Sequence, residues 1–187
     1  MRKRDDEKER NIKDAVIKLI LQEGFQGTSI AKIARMAGVS PATVYIYFDS
    51  KEDMLQNIYY EYSDEIFEYL LDQIDRQMEG RQIIEMLIRG YYDYILGHKE
   101  IFSFVEQFSN CPSLSSRCTG KSQICHIYHL LEEMKRGQVI RNYNDDNVMA
   151  LMFYPVKAIA MDNYKNEAER DRSLQELIQI VQQALLL

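Results

Sequence analysis

Apolar residues recur at helical spacing along nearly the whole chain, and nowhere do they alternate with the period of two that a sheet requires. The first stripe, Ile12, Ala15, Val16, Leu19 and Ile20, predicts a helix from Glu7 to Glu23 with one buried face. A shorter stripe of Ile30, Ile33, Ala34 and Ala37 follows Thr28 and Ser29, either of which can supply the side-chain oxygen that satisfies a helix start. Gly38 ends this second helix, because a residue just past a helix often needs positive φ. Ser40 and Pro41 open the third as N-cap and first-turn proline. Ser50, with Asp53 three residues on, gives a capping-box-like start for a fourth. Beyond it the pattern stays helical, with breaks near Gly80, Gly97-His98, Cys111-Pro112-Ser113, Gly137 to Asn144 and Asn163 to Asn166, giving about six more helices counted from Ser50. The expected fold is therefore all-α with about nine helices. Residues 1–50 form a small three-helix domain and residues 51–187 a larger helical one. Pro155 lies inside the eighth helix and predicts a bend, the carbonyl of Leu151 losing its usual donor.

The second and third helices meet through a tight turn, so the corner reads as a helix-turn-helix and points at DNA. Val39, Val44 and Phe48 turn inward to lock it. Pro41, Ala42, Thr43, Tyr45 and Tyr47 lie nearer the outside of the third helix. These groups are small or hydroxyl-bearing, which lets the backbone approach a major groove while hydroxyls reach phosphates or base edges. A plain helical hairpin with a solvated face is the competing reading. Lys51, at the start of the fourth helix, opposes that helix's dipole, a placement that suits a nearby phosphate.

The net charge of −6 changes this picture only when it is divided: residues 1–51 carry ten Lys/Arg against seven Asp/Glu, and residues 52–187 thirteen against twenty-two. A modestly basic reader on an acidic body keeps the reader, not the body, on nucleic acid. Met1-Arg2-Lys3-Arg4 is a basic arm, although Asp5, Asp6 and Glu7 follow at once and favour an unstructured tail. No apolar run approaches the roughly 18 residues of a membrane-spanning helix, and no signal-peptide core follows the first charges, so a cytoplasmic location and no membrane partner are expected. Three cysteines, an odd number, argue against a disulfide-built secreted domain.

The ordered run from Gly27-Thr28-Ser29-Ile30 through Ile33-Ala34, Ala37-Gly38-Val39-Ser40, Thr43-Val44-Tyr45, Tyr47-Phe48 and Lys51-Glu52 to Met54-Leu55, preceded by Glu23-Gly24-Phe25, resembles the N-terminal domain of tetracycline-repressor-like (TetR) regulators. The resemblance spans about residues 8–55, and beyond them only length and helical plan match. It implies a homodimer whose third helices enter the major grooves of a double-stranded operator. It assigns Ser29, Ser40, Ala42, Thr43, Tyr45, Tyr47 and Lys51 to the DNA face, to which the reading of the corner adds Thr28 and Pro41. The position of Tyr47 is often histidine in the family, and Ile46 replaces a frequent aromatic.

Two apolar stripes near the C-terminus suit self-association: Val148, Leu151, Met152, Pro155, Val156 and Ile159, then Leu174, Leu177, Ile178, Val181, Ala184 and Leu185. Paired with a second copy they would form a four-helix interface, as the resemblance also implies; packing within one monomer is the alternative. Aromatic density between reader and dimer helices suggests a cavity for a drug-sized, partly apolar or cationic effector, with Tyr59, Tyr62, Tyr91, Tyr94, Phe102, Phe104, Phe108, Tyr128, Phe153 and Tyr154 as candidate lining. Cys118, Cys125 and His129 could share a helix face as a metal or redox sensor, but their spacing fits no short zinc motif, and no cofactor or metal is assigned. Phosphate-cradling Gly loops, Gly-x-Ser-x-Gly and His-Glu-x-x-His are absent, so enzyme chemistry has no support. The expected protein is a transcriptional regulator, most simply a repressor released by a small molecule; the alternatives are a helical adaptor that no longer reads DNA, or a metal- or redox-sensing regulator.

Overall fold

The structure, a computed structural model, describes residues 5–75, 77–109 and 122–187. Nine helices and no strand appear among them: α1 (Asp6–Gly27), α2 (Ile30–Met36), α3 (Pro41–Tyr47), α4 (Lys51–Leu71), α5 (Gly80–Gly97), α6 (Lys99–Phe108), α7 (Gln123–Arg136), α8 (Asp145–Ala160) and α9 (Glu167–Leu185). The basic arm at residues 1–4 and the break at Cys111-Pro112-Ser113 lie outside the described residues, as does Cys118. The all-α expectation holds: the breaks at Gly137 to Asn144 and Asn163 to Asn166 fall between helices, and Gly97-His98 is the last residue and C-cap of α5.

Local chemistry explains these boundaries. Asp5 caps α1 by accepting from the Glu7 N–H, and Asp6, Glu7 and Glu9 place negative charge where the helix dipole favours it. Gly24 interrupts the same helix at φ 72°, after which one short turn runs on to Gly27. Asn166 and Glu169 form a reciprocal capping box at the start of α9. α8 runs through Pro155 without a break. A Cβ on Gly80 would stand 2.1 Å from Cγ1 of Val139, so close packing, rather than backbone freedom, requires glycine there.

The chain forms two compact units. The first holds α1 to α3, α4 as far as Ser63, and α6. Its core gathers Ile12, Val16, Ile20, Ile33, Val44, Met54, Ile58, Phe102 and Phe104, and α1 packs on both α2 and α6. Ile17 is buried as well, which widens the stripe on α1 beyond the single face that the spacing of Ile12, Val16 and Leu19 predicts.

The second unit holds α4 from Asp64, then α5, α7, α8 and α9. There α5, α8 and α9 pack on one another, burying Leu87, Ile88, Ile95, Met152, Val156, Ile178 and Val181. Gln182 is a buried polar residue with both ends satisfied: Arg81 Nη1 donates to its Oε1 at 2.6 Å, and its Nε2 donates to the Arg81 carbonyl at 3.0 Å. An unforeseen pairing closes the end of α9, where Ile140 and Leu186 form an isolated antiparallel bridge and the Arg141 N–H donates to the Leu185 carbonyl at 2.8 Å.

Candidate nucleic-acid interface

The corner is built as its residues dictate. Ser29 is the N-cap of α2 and accepts from the Lys32 N–H, while Ser40 is the N-cap of α3 and accepts from the Thr43 N–H, with Pro41 in the first turn. Between them Gly38 adopts φ 69°, and the Val39 N–H returns to the Ala34 carbonyl at 2.9 Å. Val44 is completely buried and Phe48 nearly so, which fixes the inner side of α3. The opposite side stands clear, with Pro41, Ala42, Tyr45 and Ile46 exposed. Ile46 is not among the residues that the resemblance assigns to the DNA face. Its signal was positional: it lies four residues after Ala42, on the side of α3 away from Val44.

The polar members of the expected DNA-facing set are more occupied than their residue types suggest. Ser40 Oγ and Thr43 Oγ1 share a 2.8 Å hydrogen bond on top of the cap, so both hydroxyls already hold one another. The Tyr47 hydroxyl donates to the Asp5 carbonyl at 3.1 Å and accepts from the Asp5 N–H at 3.0 Å, tying the end of α3 to the start of α1. Lys51 Nζ donates to the carbonyls of Phe25 at 2.8 Å and Thr28 at 3.0 Å, and sits 4.0 Å from the centre of the Phe25 ring. Its charge is held against the turn between α1 and α2 by carbonyl dipoles and a π face. Thr28 is buried, and its hydroxyl donates to the Gly24 carbonyl at 2.9 Å, closing α1. Ser29 is exposed, and so is Arg35 in the last turn of α2.

The Tyr47 contact gives a direct expectation. Tyr47→Phe should cost about 1 kcal/mol, the net worth of a hydrogen bond whose partners regain water. It should also speed amide exchange in the first turn of α1, followed by mass spectrometry. Unchanged exchange there would mean that the hydroxyl does not hold that turn.

The aromatic candidates for an effector site divide between the units. Tyr59, Tyr62, Phe102, Phe104 and Phe108 belong to the first, where Phe104 and Phe108 stand 5.3 Å apart. In the second, Tyr91 meets Phe153 edge-on at 4.9 Å, and Phe67 meets the same ring at 6.4 Å. Tyr94 is fully buried, donates to Glu65 Oε1 at 3.0 Å and stacks on His98. Tyr128 donates to Asp146 Oδ1 at 3.1 Å; burial first, and then the Asp146 carboxylate, hold its phenol above the ordinary range. Tyr154 points outward, 65 % exposed, with Lys157 Nζ over its ring.

Of the residues expected at a dimer interface, Val148, Met152, Leu174, Leu177, Ile178, Val181 and Leu185 are buried within one subunit. Leu151, Pro155 and Ile159 are half-buried. Tyr154 on α8, Met161 just past it, Ile180 on α9 and Leu187 beyond it are exposed apolar groups. Cys125 is buried and disulfide-bonded, so it is not a free thiol available as a metal ligand. His126 and His129 are exposed, and no group of three potential metal ligands occurs among the described residues. No helix of the described residues is long and apolar enough to cross a membrane.

A small helical unit that presents a short exposed helix behind a glycine turn is the geometry of helix-turn-helix DNA-binding proteins. Residues 12–58 match the family model described as bacterial regulatory proteins, tetR family. The fatty acid metabolism regulator protein of Bacillus subtilis (strain 168) is 27% identical over 84 residues, which cover 45% of this chain and 43% of that protein. The HTH-type transcriptional repressor KstR2 of Rhodococcus jostii (strain RHA1) is 28% identical over 82 residues, 44% of this chain and 40% of that one. The chain thus spans less than half the length of these curated relatives. Among solved structures, a TetR family transcription regulator from Marinobacter aquaeolei VT8 superposes with a TM-score of 0.80 at 24% identity, covering 96% of this chain and 97% of that one. Residues 12–58 thus carry the segment that the tetR family model describes, and the fold of the chain is that of the solved structure it superposes on.

Proposed function

We propose that the protein is a homodimeric transcriptional regulator that binds double-stranded operator DNA through α3 and leaves it when a small-molecule effector binds. The reading gives residues 1–50 the DNA-contacting role and residues 51–187 the effector and dimer roles. One observation carries it: the inner side of α3 is sealed by Val44 and Phe48, while its outer side is open to solvent. Repression, rather than activation, is the sense supported by the repressor named among the relatives. For the dimer, the exposed groups on and just past α8 and α9, Tyr154, Met161, Ile180 and Leu187, take the place of the buried stripes. The Tyr91, Phe153 and Phe67 cluster is the apolar contact offered to an effector.

The test is fluorescence anisotropy of the full-length protein with a duplex covering the promoter beside its own gene. Binding should weaken steeply with salt, by a log–log slope of about −0.9 for each phosphate neutralised. Absence of binding at low salt, in a protein shown to be folded, would leave the helical adaptor as the better reading.

A further inference from the structure

The residues of α3 are Pro-Ala-Thr-Val-Tyr-Ile-Tyr. Guanine is read most strongly by the paired donors of arginine or lysine, and adenine by the amide of asparagine or glutamine. The helix that would enter the groove has none of these four. Its hydroxyls are engaged at home, Thr43 with Ser40 and Tyr47 with the backbone of Asp5. Tyr45 carries a hydroxyl outward, but at the end of a long ring suited to a single contact with a phosphate or one base. Past the Pro41 ring in the first turn, what remains on the open arc is the methyl of Ala42 and the branched side chain of Ile46, one turn apart and 42 % exposed at Ile46. Apolar surface left on a short helix gains from burial, and among the base edges of the major groove only thymine presents an apolar group, its 5-methyl.

We infer that α3 selects its operator by thymine methyl groups, with Ile46, supported by Ala42, as the specificity-determining residue. This rests on the DNA-binding reading above. Ser40, Thr43 and Tyr47 are then positioning residues: they hold the start and end of α3 so that Ile46 faces the bases.

The experiment first selects bound duplexes from a random library with the full-length protein, then replaces thymine by deoxyuridine, one position at a time, in the selected sequence. Deoxyuridine keeps the hydrogen-bonding edge and removes only the methyl. At one or two positions in each half-site the replacement should weaken wild-type binding by about fourfold, the factor expected for one buried methyl-sized group. Ile46→Ala should weaken binding to the thymine duplex and show no further loss on the deoxyuridine duplex, whereas Ile46→Val should retain most of the discrimination. Tolerance of deoxyuridine at every position by the wild-type protein would overturn the inference, even if the Ile46→Ala variant did not fold. Equal sensitivity of wild type and a folded Ile46→Ala variant would overturn it too. Failure to enrich any duplex would instead overturn the DNA-binding reading itself.

Discussion

Phe104→Ala should lower the stability of the first unit by about 3–5 kcal/mol, the range for a buried phenylalanine that leaves a cavity its neighbours fill only in part. The side chain is completely buried, lies beside Phe108, and belongs to the helix that packs on α1. Because α1 also supports α2, the loss should reach the corner although Phe104 is far from it in sequence. Urea unfolding followed by circular dichroism measures the change, and amide exchange locates it. A loss below about 1 kcal/mol, or exchange raised in α6 alone, would show that α6 is only loosely docked on α1.

Lys135→Met should cost about 2–3 kcal/mol, somewhat less than the roughly 3–5 kcal/mol of breaking a fully buried ion pair. The side chain is 7% exposed, its stem covered, and its ammonium pairs with Asp145, whose side chain is 29% exposed, and with Glu132 at 3.4 Å. Methionine keeps the apolar stem, so the loss reports the charge. Asp145 would retain only the favourable end of α8, where it lies in the first turn. Burial alone would push the Lys135 pKa down, but the hydrogen bond and charge of Asp145, with help from Glu132, more than offset it and hold it above the ordinary lysine range. A cation whose folded pKa is raised contributes its full stability below the unfolded value and loses it as pH climbs through the folded one. The gap between wild type and Lys135→Met should therefore be constant from neutral pH to about 10 and narrow above it. A gap that closed on acidification instead would assign the stabilisation to another group.

Much of the corner was legible because its signals are local. Ser29, Gly38, Ser40 and Pro41 act on their own few residues, and the structure uses each as its chemistry suggests. Thr28 and Ser29 offered the same oxygen, and only the path of the chain decides that Ser29 caps α2 while Thr28 closes α1. The hydroxyl of Tyr47 was less legible, since its partner lies 42 residues away and nothing in the pattern brings them together. The same limit holds for α8 and α9. Periodicity identifies an apolar face but not what covers it, because burial is non-directional, and here α5 covers much of what a second copy might have. The amphipathic pattern of α6 likewise gave no hint of its attachment to α1.

That attachment bears on how the protein is made. On the ribosome the segment carrying the glycine corner emerges first, yet a wall of its hydrophobic interior is encoded after the whole of α5. Until translation reaches Phe104, the part of α1 that packs on α6 lacks that cover, leaving a sticky intermediate of the kind chaperones bind.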